Sequence, residues 1–348
     1  MVKRMKKRVI EAVQACIHTK EPMAVTIHPY EIEKQQQLNQ HHLLLMLKPE
    51  LTSINKGVQL DLILDELLQR LDDREVEIGA VRVISSLYLK EKKIIENQYG
   101  MLNKISKNGL SEVSDAAKKM LAMKYPEFKK KEHFIYGAHQ FLQKYKELTP
   151  YGLELLTRNV KVDKLGAGTY AIEAEVDGEK MLLLNSFHPC QIEWFTAPAK
   201  SIIVIECFSK QPMRKLREDF IGATDPKEAK TGSFKHMLLS EQKRFGLSNV
   251  CTRFNGIHLS PGPVEAMAGM IHYFSTPETR LTPAHTLFGQ LLKENGFSPE
   301  ALDLLCKDVS IHSSETPVFE LTENLNWDEA LDLLVKVRND IQKHERVL

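Results

Sequence analysis

The sequence predicts a mixed α+β fold that is interrupted by a block of different composition. Apolar runs typical of buried strands alternate with helical stripes over residues 43–100, and the same alternation returns after residue 186. Between them lies a lysine-rich stretch. The chain has 348 residues, of which 43% are hydrophobic and 27% charged. This length suggests about two domains, and the composition is that of a soluble globular protein.

The bulk properties exclude several classes of protein. A net charge of +1 provides no global field for nucleic acid or acidic membranes. The five cysteines are scattered without a CxxC pair, which fits a reducing compartment. No apolar run in the sequence reaches the roughly 18 residues of a membrane helix, and the basic start is not followed by a signal-peptide core. We therefore expect a cytoplasmic protein that binds neither membranes nor nucleic acid.

The first elements follow an N-terminal extension, residues 1–42, which ends in a polar run interpreted as a linker or a solvated helix end. Leu43–Leu47 is a compact apolar strand that Lys48-Pro49 should end. A helix is then predicted from a stripe of apolar residues at spacings of three and four, namely Leu60, Ile63, Leu64, Leu67, Leu68 and Leu71. A second strand over 76–89 and a helix over 90–99 complete this part.

The middle block, residues 101–186, is predicted to be an inserted subdomain. Residues 101–150 hold ten lysines and five acidic residues, with helical patterns over 111–123 and 133–146. Thr149-Pro150 is a typical helix start. Asp177-Gly178 lies between two apolar runs and predicts a β-hairpin. A solvated helical face explains the modest excess of charge better than a nucleic-acid surface does.

The alternation then resumes with a short helix (190–195), a strand (202–208), a helix (213–220), a strand (250–258) and a helix (264–274). Without the middle block, this order of elements suits a βαββαβ sandwich of ferredoxin-like type with an antiparallel sheet. Residues 276–348 are predicted to form a C-terminal helical extension, because helix starts occur at Thr282-Pro283, Ser298-Pro299 and Asn326.

Two residues could carry phosphoryl chemistry. His258 lies at the end of a predicted strand, and a neutral imidazole nitrogen is a nucleophile near pH 7. Glu265, in the first turn of the next helix, could orient that ring. Lys48 follows a buried strand directly, so its ammonium would stand at the strand's end as a point charge for phosphates. Taken alone, His258 is better explained by a structural role, and Lys48 is better explained as a solvated lysine next to a turn.

The stretch 221–235 combines a glycine turn, hydroxyls and lysines. Its backbone amides, with Thr224 and Lys235, could bind phosphate oxygens through charge-assisted hydrogen bonds. The alternative interpretation is an ordinary surface loop.

Together, these segments resemble nucleoside diphosphate kinase. Leu45-Met-Leu-Lys48-Pro-Glu resembles the first strand of that family with its lysine, and Asn97-Gln-Tyr99 its tyrosine-bearing helical hairpin. The closest matches are the segments 220–229 and Asn255-Gly-Ile-His258, followed by Val264-Glu265-Ala. The motifs occur in the order of the family and cover residues 43–100 and 187–275.

The resemblance implies a ping-pong transfer of the γ-phosphate of a nucleoside triphosphate to a diphosphate, through a phosphohistidine at His258. It further implies Mg²⁺ bound with the nucleotide and a homo-oligomer. The implied nucleotide contacts are Lys48 and Asn255 at the ribose and phosphates, Tyr99 at the lysine and the transferred group, Thr224 at a phosphate, Phe187 at the base, and Ser260 in the loop after the histidine.

The sequence departs from the family where two arginines contact the phosphates. One position holds Lys235, and the other holds Glu218 with Arg217 one residue earlier, so that a shift in helix register would be needed to restore the arginine. Two alternatives to an active nucleoside diphosphate kinase follow. The chain could be a nucleotide-binding regulatory or scaffold protein on a decayed kinase fold. It could also form a phosphohistidine but transfer to an unusual acceptor that the insertion recognises.

Overall fold

The computed structural model describes residues 2–32, 40–166, 168–311 and 316–345. The chain divides into two compact units. The first comprises Met1–Ile94, Phe195–Ile311 and Val318–Leu348, and the second comprises Ile95–Trp194 with residues 312–317. The second unit therefore contains the predicted insertion together with Tyr99 and Phe187.

Strands and helices alternate along the described chain. The strands are β1 (Ala24–His28), β2 (His41–Leu47), β3 (Glu77–Ser85), β4 (Ile135–Gly137), β5 (Asp163–Gly166), β6 (Thr169–Val176), β7 (Glu179–Leu184), β8 (Ser201–Ser209), β9 (Ile257–Leu259), β10 (Ser310–Ile311) and β11 (Thr316–Pro317).

The helices of the first two hundred residues are α1 (Val2–His18), α2 (Pro49–Thr52), α3 (Leu60–Asp72), α4 (Ser86–Glu91), α5 (Ile94–Gln98), α6 (Gly100–Asn108), α7 (Asp115–Lys124), α8 (Ala138–Lys144), α9 (Pro150–Thr157) and α10 (His188–Thr196). The later helices are α11 (Met213–Lys215), α12 (Phe234–Ser240), α13 (Pro263–Phe274), α14 (Leu287–Glu294), α15 (Pro299–Leu305), α16 (Val318–Leu321) and α17 (Trp327–Glu345). The fold is thus of the mixed α+β class, as the sequence predicts.

The first unit is built on a five-stranded sheet with the order β1-β3-β8-β2-β9, and every neighbouring pair is antiparallel. Side chains alternate between the two faces of a strand. In β2, Leu43, Leu45 and Leu47 belong to the core that includes α1 and α3. Leu44 instead lies against α13, where a side chain at Gly269 would meet its Cδ2 atom. Helices therefore pack against both faces of the sheet.

The predicted stripe of α3 is confirmed. Leu60, Ile63, Leu64, Leu67 and Leu71 are all buried in the same core cluster, and Leu68 packs at its edge. Burial of each such side chain contributes about 1.5–3 kcal/mol. The helix is therefore held by its apolar stripe against the sheet.

The N-terminal residues are more integrated than the sequence suggested. α1 packs in the core of the first unit, and β1 pairs with β3 at the edge of the sheet. Of the polar run interpreted as a linker, residues 33–39 lie outside the described residues. His41 and His42 begin β2 and are 4% exposed, so for them the interpretation as linker was wrong.

A buried hydrogen bond to a carboxylate explains why His42 is tolerated in a central strand. Its Nε2 atom lies 2.8 Å from Glu206 Oε1 on the neighbouring β8. The other carboxylate oxygen accepts a hydrogen bond of 2.8 Å from Ala80 N, at an irregularity in β3. A side chain at Gly79 would meet this carboxylate at 2.4 Å. Buried charges require such partners.

The second unit contains a four-stranded sheet with the order β4-β7-β6-β5. β4 and β7 are parallel and the other pairs antiparallel, so the sheet is mixed. The predicted hairpin is present as β6 and β7, and Asp177 and Gly178 adopt φ values of 55° and 78° in its turn. These angles are those of a type I′ turn, for which an Asp-Gly pair is suited.

The C-terminal helices pack against α13 around a separate core that includes Val264, Phe288 and Leu334. Two of the predicted helix starts are present: Ser298 accepts a capping bond of 3.0 Å from Ala301 N, and Glu329 accepts one of 2.8 Å from Asn326 N. Thr282-Pro283 begins only a 3-10 turn, and α14 starts after Thr286 instead. Within the described ranges, no helix is both long and apolar enough to cross a membrane.

Candidate active site

His258 and Lys48 lie on adjacent strands at one end of the sheet. His258 in β9 is opposite Met46 in β2, and Lys48 N donates a hydrogen bond of 2.8 Å to Gly256 O. Lys48 has extended backbone angles. Because residues two apart in an extended chain face the same side, Lys48 follows Met46 on the face that carries His258.

The strand predicted over 250–258 is shorter in the structure, where only Ile257–Leu259 pairs with β2. The preceding turn explains the difference. Gly256 has a φ of +76°, a conformation that favours glycine. Its N–H donates a hydrogen bond of 2.9 Å to Glu50 Oε1, just after the β2 strand.

Asn255 connects Lys48 to the loop around Thr224. Its Oδ1 atom accepts a hydrogen bond of 2.7 Å from the Lys48 ammonium, and its Nδ2 atom donates to Thr224 O at 3.1 Å and Thr252 O at 3.0 Å. Asn255 is 4% exposed, whereas Thr224 is exposed. Burial lowers the pKa of Lys48, and the charge of Glu50 opposes this effect.

Lys235 brings a second amine to this region. It lies in the first turn of α12 and is only 7% exposed, and its Nζ atom donates to Gly222 O at 3.3 Å. Burial lowers the pKa of Lys235 from 10.5 to about 7, and the positive charges of Lys48 and Arg217 contribute to this shift. The positive charges of Lys48 and Arg217 therefore reach the Lys235 amine, so a bound anion would favour its protonated form.

Arg217 lies in a π-helical turn, Leu216–Ile221, that continues α11. Gly222 N donates to Arg217 O at 2.9 Å, which closes this wider turn. A π turn accommodates one residue more than an α turn, and such turns are frequent at functional sites. The guanidinium Nη1 atom donates to Glu323 Oε1 at 2.8 Å and to Asn324 Oδ1 at 2.5 Å.

The imidazole of His258 is held next to Glu265. Its Nε2 atom is buried and lies 3.3 Å from Glu265 Oε1, without a well-aligned hydrogen bond to a described residue. The side chain is 21% exposed, and since Nε2 is buried, the exposed part lies elsewhere on the ring. A carboxylate at Nε2 favours the tautomer that leaves the Nδ1 lone pair available.

The structure gives the contacts of three other predicted residues. Ser260 is fully buried, and its hydroxyl accepts a hydrogen bond of 3.1 Å from Leu44 N. This contact extends the pairing between β9 and β2, and the nucleotide contact implied for Ser260 stays a prediction. Tyr99 and Phe187 belong to the second unit, where their rings contact His188 and Tyr170 respectively.

Three contributors to the site were missed in the sequence. Glu50 accepts a hydrogen bond from Gly256 N, and its charge opposes the lowering of the Lys48 pKa. Its position directly after Lys48-Pro49 could have indicated that it lies near the lysine. Glu323 and Asn324 bind Arg217 from a segment more than 100 residues further along the chain. Neither spacing nor composition provides a signal for such a distant contact.

Two surface depressions lie elsewhere on the first unit. One, of about 610 Å³, is lined by Gln14, Ala15, Ile17, His18, Ile54 and Asn55. The other, of about 400 Å³, is lined by Ala284, Gln290, Lys293 and Glu294. Neither includes a residue of the cluster around His258, so neither is considered as a nucleotide site.

Comparison with known proteins gives a structural likeness but no match in sequence. Neither a protein-family model nor a curated protein matches the sequence. Among solved structures, the chain is similar to an NDP kinase from Pyrobaculum aerophilum, with 16% sequence identity and a TM-score of 0.33. The alignment covers 70% of this chain and 99% of that chain. This degree of likeness is too low to carry a functional argument, which therefore depends on the residues themselves.

Proposed function

We propose that the chain is a phosphotransferase that takes the γ-phosphate of a nucleoside triphosphate onto His258 and passes it to a nucleoside diphosphate or a related acceptor. The observation that carries the proposal is the position of the imidazole. It lies beside Glu265 on the strand next to Lys48, at the end of the sheet where Asn255 also lies. The order β3-β8-β2-β9 is also that of a ferredoxin-like sandwich, to which we assign the first unit.

The chemical step requires little more than position and charge. The Nδ1 lone pair of His258 attacks the γ-phosphorus, the bond to the bridging oxygen breaks, and the departing diphosphate takes that electron pair. An oxygen of the acceptor diphosphate then attacks the phosphohistidine, and the N–P electron pair returns to Nδ1. Glu265 would keep the proton on Nε2 throughout both steps.

Three cationic side chains would bind the phosphate chain. In the free protein, the positive charges of Lys48 and Arg217 disfavour protonation of the Lys235 amine, and phosphate oxygens between these side chains would favour it. Asn255 would hold the Lys48 ammonium, and the exposed Thr224 hydroxyl would donate to a phosphate. The roles of Tyr99 and Phe187 stay predictions from the resemblance.

We expect Mg²⁺ to arrive with the nucleotide. Within the described residues, no group of three His, Cys, Asp or Glu side chains could hold a metal ion. The ion would be held by the nucleotide phosphates, where it would neutralise the charge that develops during transfer.

The direct test is labelling with γ-³²P ATP. The wild-type chain should acquire an acid-labile, alkali-stable label, and the label should disappear in His258→Ala. His133→Ala is a matched control, because His133 is exposed and lies in the second unit. Retention of the label in His258→Ala, or its absence with every nucleoside triphosphate, would exclude the proposal.

A nucleotide-binding regulator without transfer is the second candidate, and the contacts of Arg217 favour it. Its Nη1 atom is already bound by Glu323 and Asn324, and the second phosphate position holds a lysine whose pKa is lowered to about 7. Such a protein would be stabilised against heat by MgATP without forming phosphohistidine. Rapid exchange of phosphate between ATP and another nucleoside diphosphate would exclude this candidate.

A further inference from the structure

A short C-terminal segment, Thr322–Asn324, connects Arg217 to the loop that follows His258. We refer to this segment as the strap. Glu323 and Asn324 accept hydrogen bonds from Arg217 Nη1 through their side chains. The backbone of Asn324 donates a hydrogen bond of 2.8 Å to Pro261 O, three residues after His258. The strap therefore contacts both the proposed phosphate-binding arginine and the neighbourhood of the proposed nucleophile.

Both ends of the strap are closely fitted. Thr322 is fully buried, and a side chain at Gly262 would meet Thr322 O at 2.3 Å. Beyond the strap, Asn326 Oδ1 accepts a hydrogen bond of 3.0 Å from Met213 N, at the start of the helix that leads to Arg217. A strap anchored at both ends can fix the arginine relative to the loop after His258.

The contacts leave most of the guanidinium free. Both hydrogen bonds come from Nη1, and neither Nε nor Nη2 makes a hydrogen bond to a described residue. A guanidinium binds phosphate oxygens best with two parallel N–H groups in one plane. The pair Nε and Nη2 offers this arrangement.

We propose that the strap positions Arg217 for phosphate binding, with Glu323 and Asn324 holding Nη1 while Nε and Nη2 bind phosphate oxygens. This inference depends on the proposed phosphotransferase function, because it assigns Arg217 to the same phosphate chain. It makes Asn324 a positioning residue that does not itself contact the nucleotide. A positioned arginine loses less conformational entropy on binding than a mobile one does.

The test uses Asn324→Gly in the full-length chain. Asn324 has a φ of 63°, so glycine removes the side-chain amide without straining the backbone. Asn324→Asp is the rescue variant, because it retains an oxygen at the position of Oδ1. Arg214→Ala is the matched control for Arg217→Ala, because Arg214 lies on the same helix and its side chain is 74% exposed. Circular dichroism and thermal melting of each variant establish that it is folded.

Two measurements separate this inference from the proposed function. Calorimetry gives the dissociation constants of MgATP and of magnesium tripolyphosphate, which has phosphates but no base. Single-turnover labelling gives the maximal rate of phosphohistidine formation. Loss of one hydrogen bond to a charged group predicts that Asn324→Gly raises both dissociation constants about tenfold, with a much smaller change in the maximal rate. Asn324→Asp should restore binding. Arg217→Ala should bind both ligands at least as weakly as Asn324→Gly does.

The outcomes are distinct. If Arg217→Ala weakens binding but Asn324→Gly does not, the positioning role is overturned while the proposed function stands. Tighter binding in Asn324→Gly would show that the strap competes with phosphate for Arg217, and would also overturn it. If the wild-type chain binds both ligands without acquiring a label, the transfer is excluded, and the strap is still tested by the dissociation constants. If it binds neither ligand, both proposals are excluded.

Discussion

Binding of MgATP at about pH 8 should take up close to one proton, because the amine of Lys235 is largely neutral in the free protein. Its pKa is about 7, compared with an ordinary value of 10.5. At pH 8 such an amine is only about one-tenth protonated. A phosphate charge about 4 Å away contributes about 4 kcal/mol at an effective dielectric constant of 20. That energy corresponds to about three pKa units, so the bound amine would be almost fully protonated.

The expected uptake is therefore about 0.9 proton per nucleotide at pH 8 and about 0.1 at pH 6, where the free amine is already charged. The assay is titration calorimetry in buffers with different ionisation enthalpies. The observed binding enthalpy is plotted against the ionisation enthalpy of the buffer, and the slope of this plot gives the number of protons taken up. MgATP itself is fully ionised at the higher pH, so its own protonation contributes little there.

Lys235→Arg is the control for this assay, because a guanidinium keeps its charge at both pH values. The variant should bind MgATP at pH 8 with much less proton uptake than the wild-type chain. Any remaining uptake would come from other groups, of which Lys48 is one, because burial also lowers its pKa. If the wild-type chain and Lys235→Arg gave the same slope, phosphate binding at Lys235 would be refuted.

Two further predictions concern residues around His258. Glu265→Gln should slow phosphohistidine formation about tenfold, because an amide stabilises the imidazole less well than a carboxylate does. Single-turnover labelling measures this rate, and an unchanged rate would remove Glu265 from the mechanism. Gly262→Ala should lower the free energy of unfolding in urea by about 1–3 kcal/mol, because its Cβ atom would lie 2.3 Å from Thr322 O. Gly100→Ala, which would meet no atom within 4 Å, is the control, and equal stability of the two variants would contradict the close fit of the strap.

Local patterns in the sequence predicted those elements whose stabilising contacts are local or periodic. The stripe of α3 requires only that the apolar residues from Leu60 onwards lie on one face of the helix. The β6–β7 turn requires only two residues, Asp177 and Gly178, that adopt left-handed backbone angles. The strand over 250–258 was overpredicted because its apolar residues do not reveal the left-handed turn at Gly256, after which Ile257–Leu259 pairs with β2.

The contacts missed in the sequence are those between distant residues. His42 appeared polar and therefore solvated, but its partner Glu206 is 164 residues away on the adjacent strand. Likewise, the burial of Lys235 depends on how α12 packs, and the contact of Arg217 with the strap depends on the C-terminal fold. The residue types at the candidate site could be read from the sequence, whereas the charge state of Lys235 and the partners of Arg217 could not. The burial of Ser260, which follows from strand pairing with Leu44, could not be read from the sequence either.

The wide helical turn at Arg217 has a consequence for how this region could change in evolution. Gly222 N reaches back five residues to Arg217 O, so the turn holds one residue that an α-helix would not. Loss of a single codon from this turn would restore ordinary helical spacing and rotate Arg217 by about 100° relative to the glycine turn that follows. The guanidinium would then leave the strap, although no residue in contact with it had been replaced. An insertion or deletion in this turn would therefore move the guanidinium of Arg217, the proposed phosphate-binding group, without replacing any residue that contacts it.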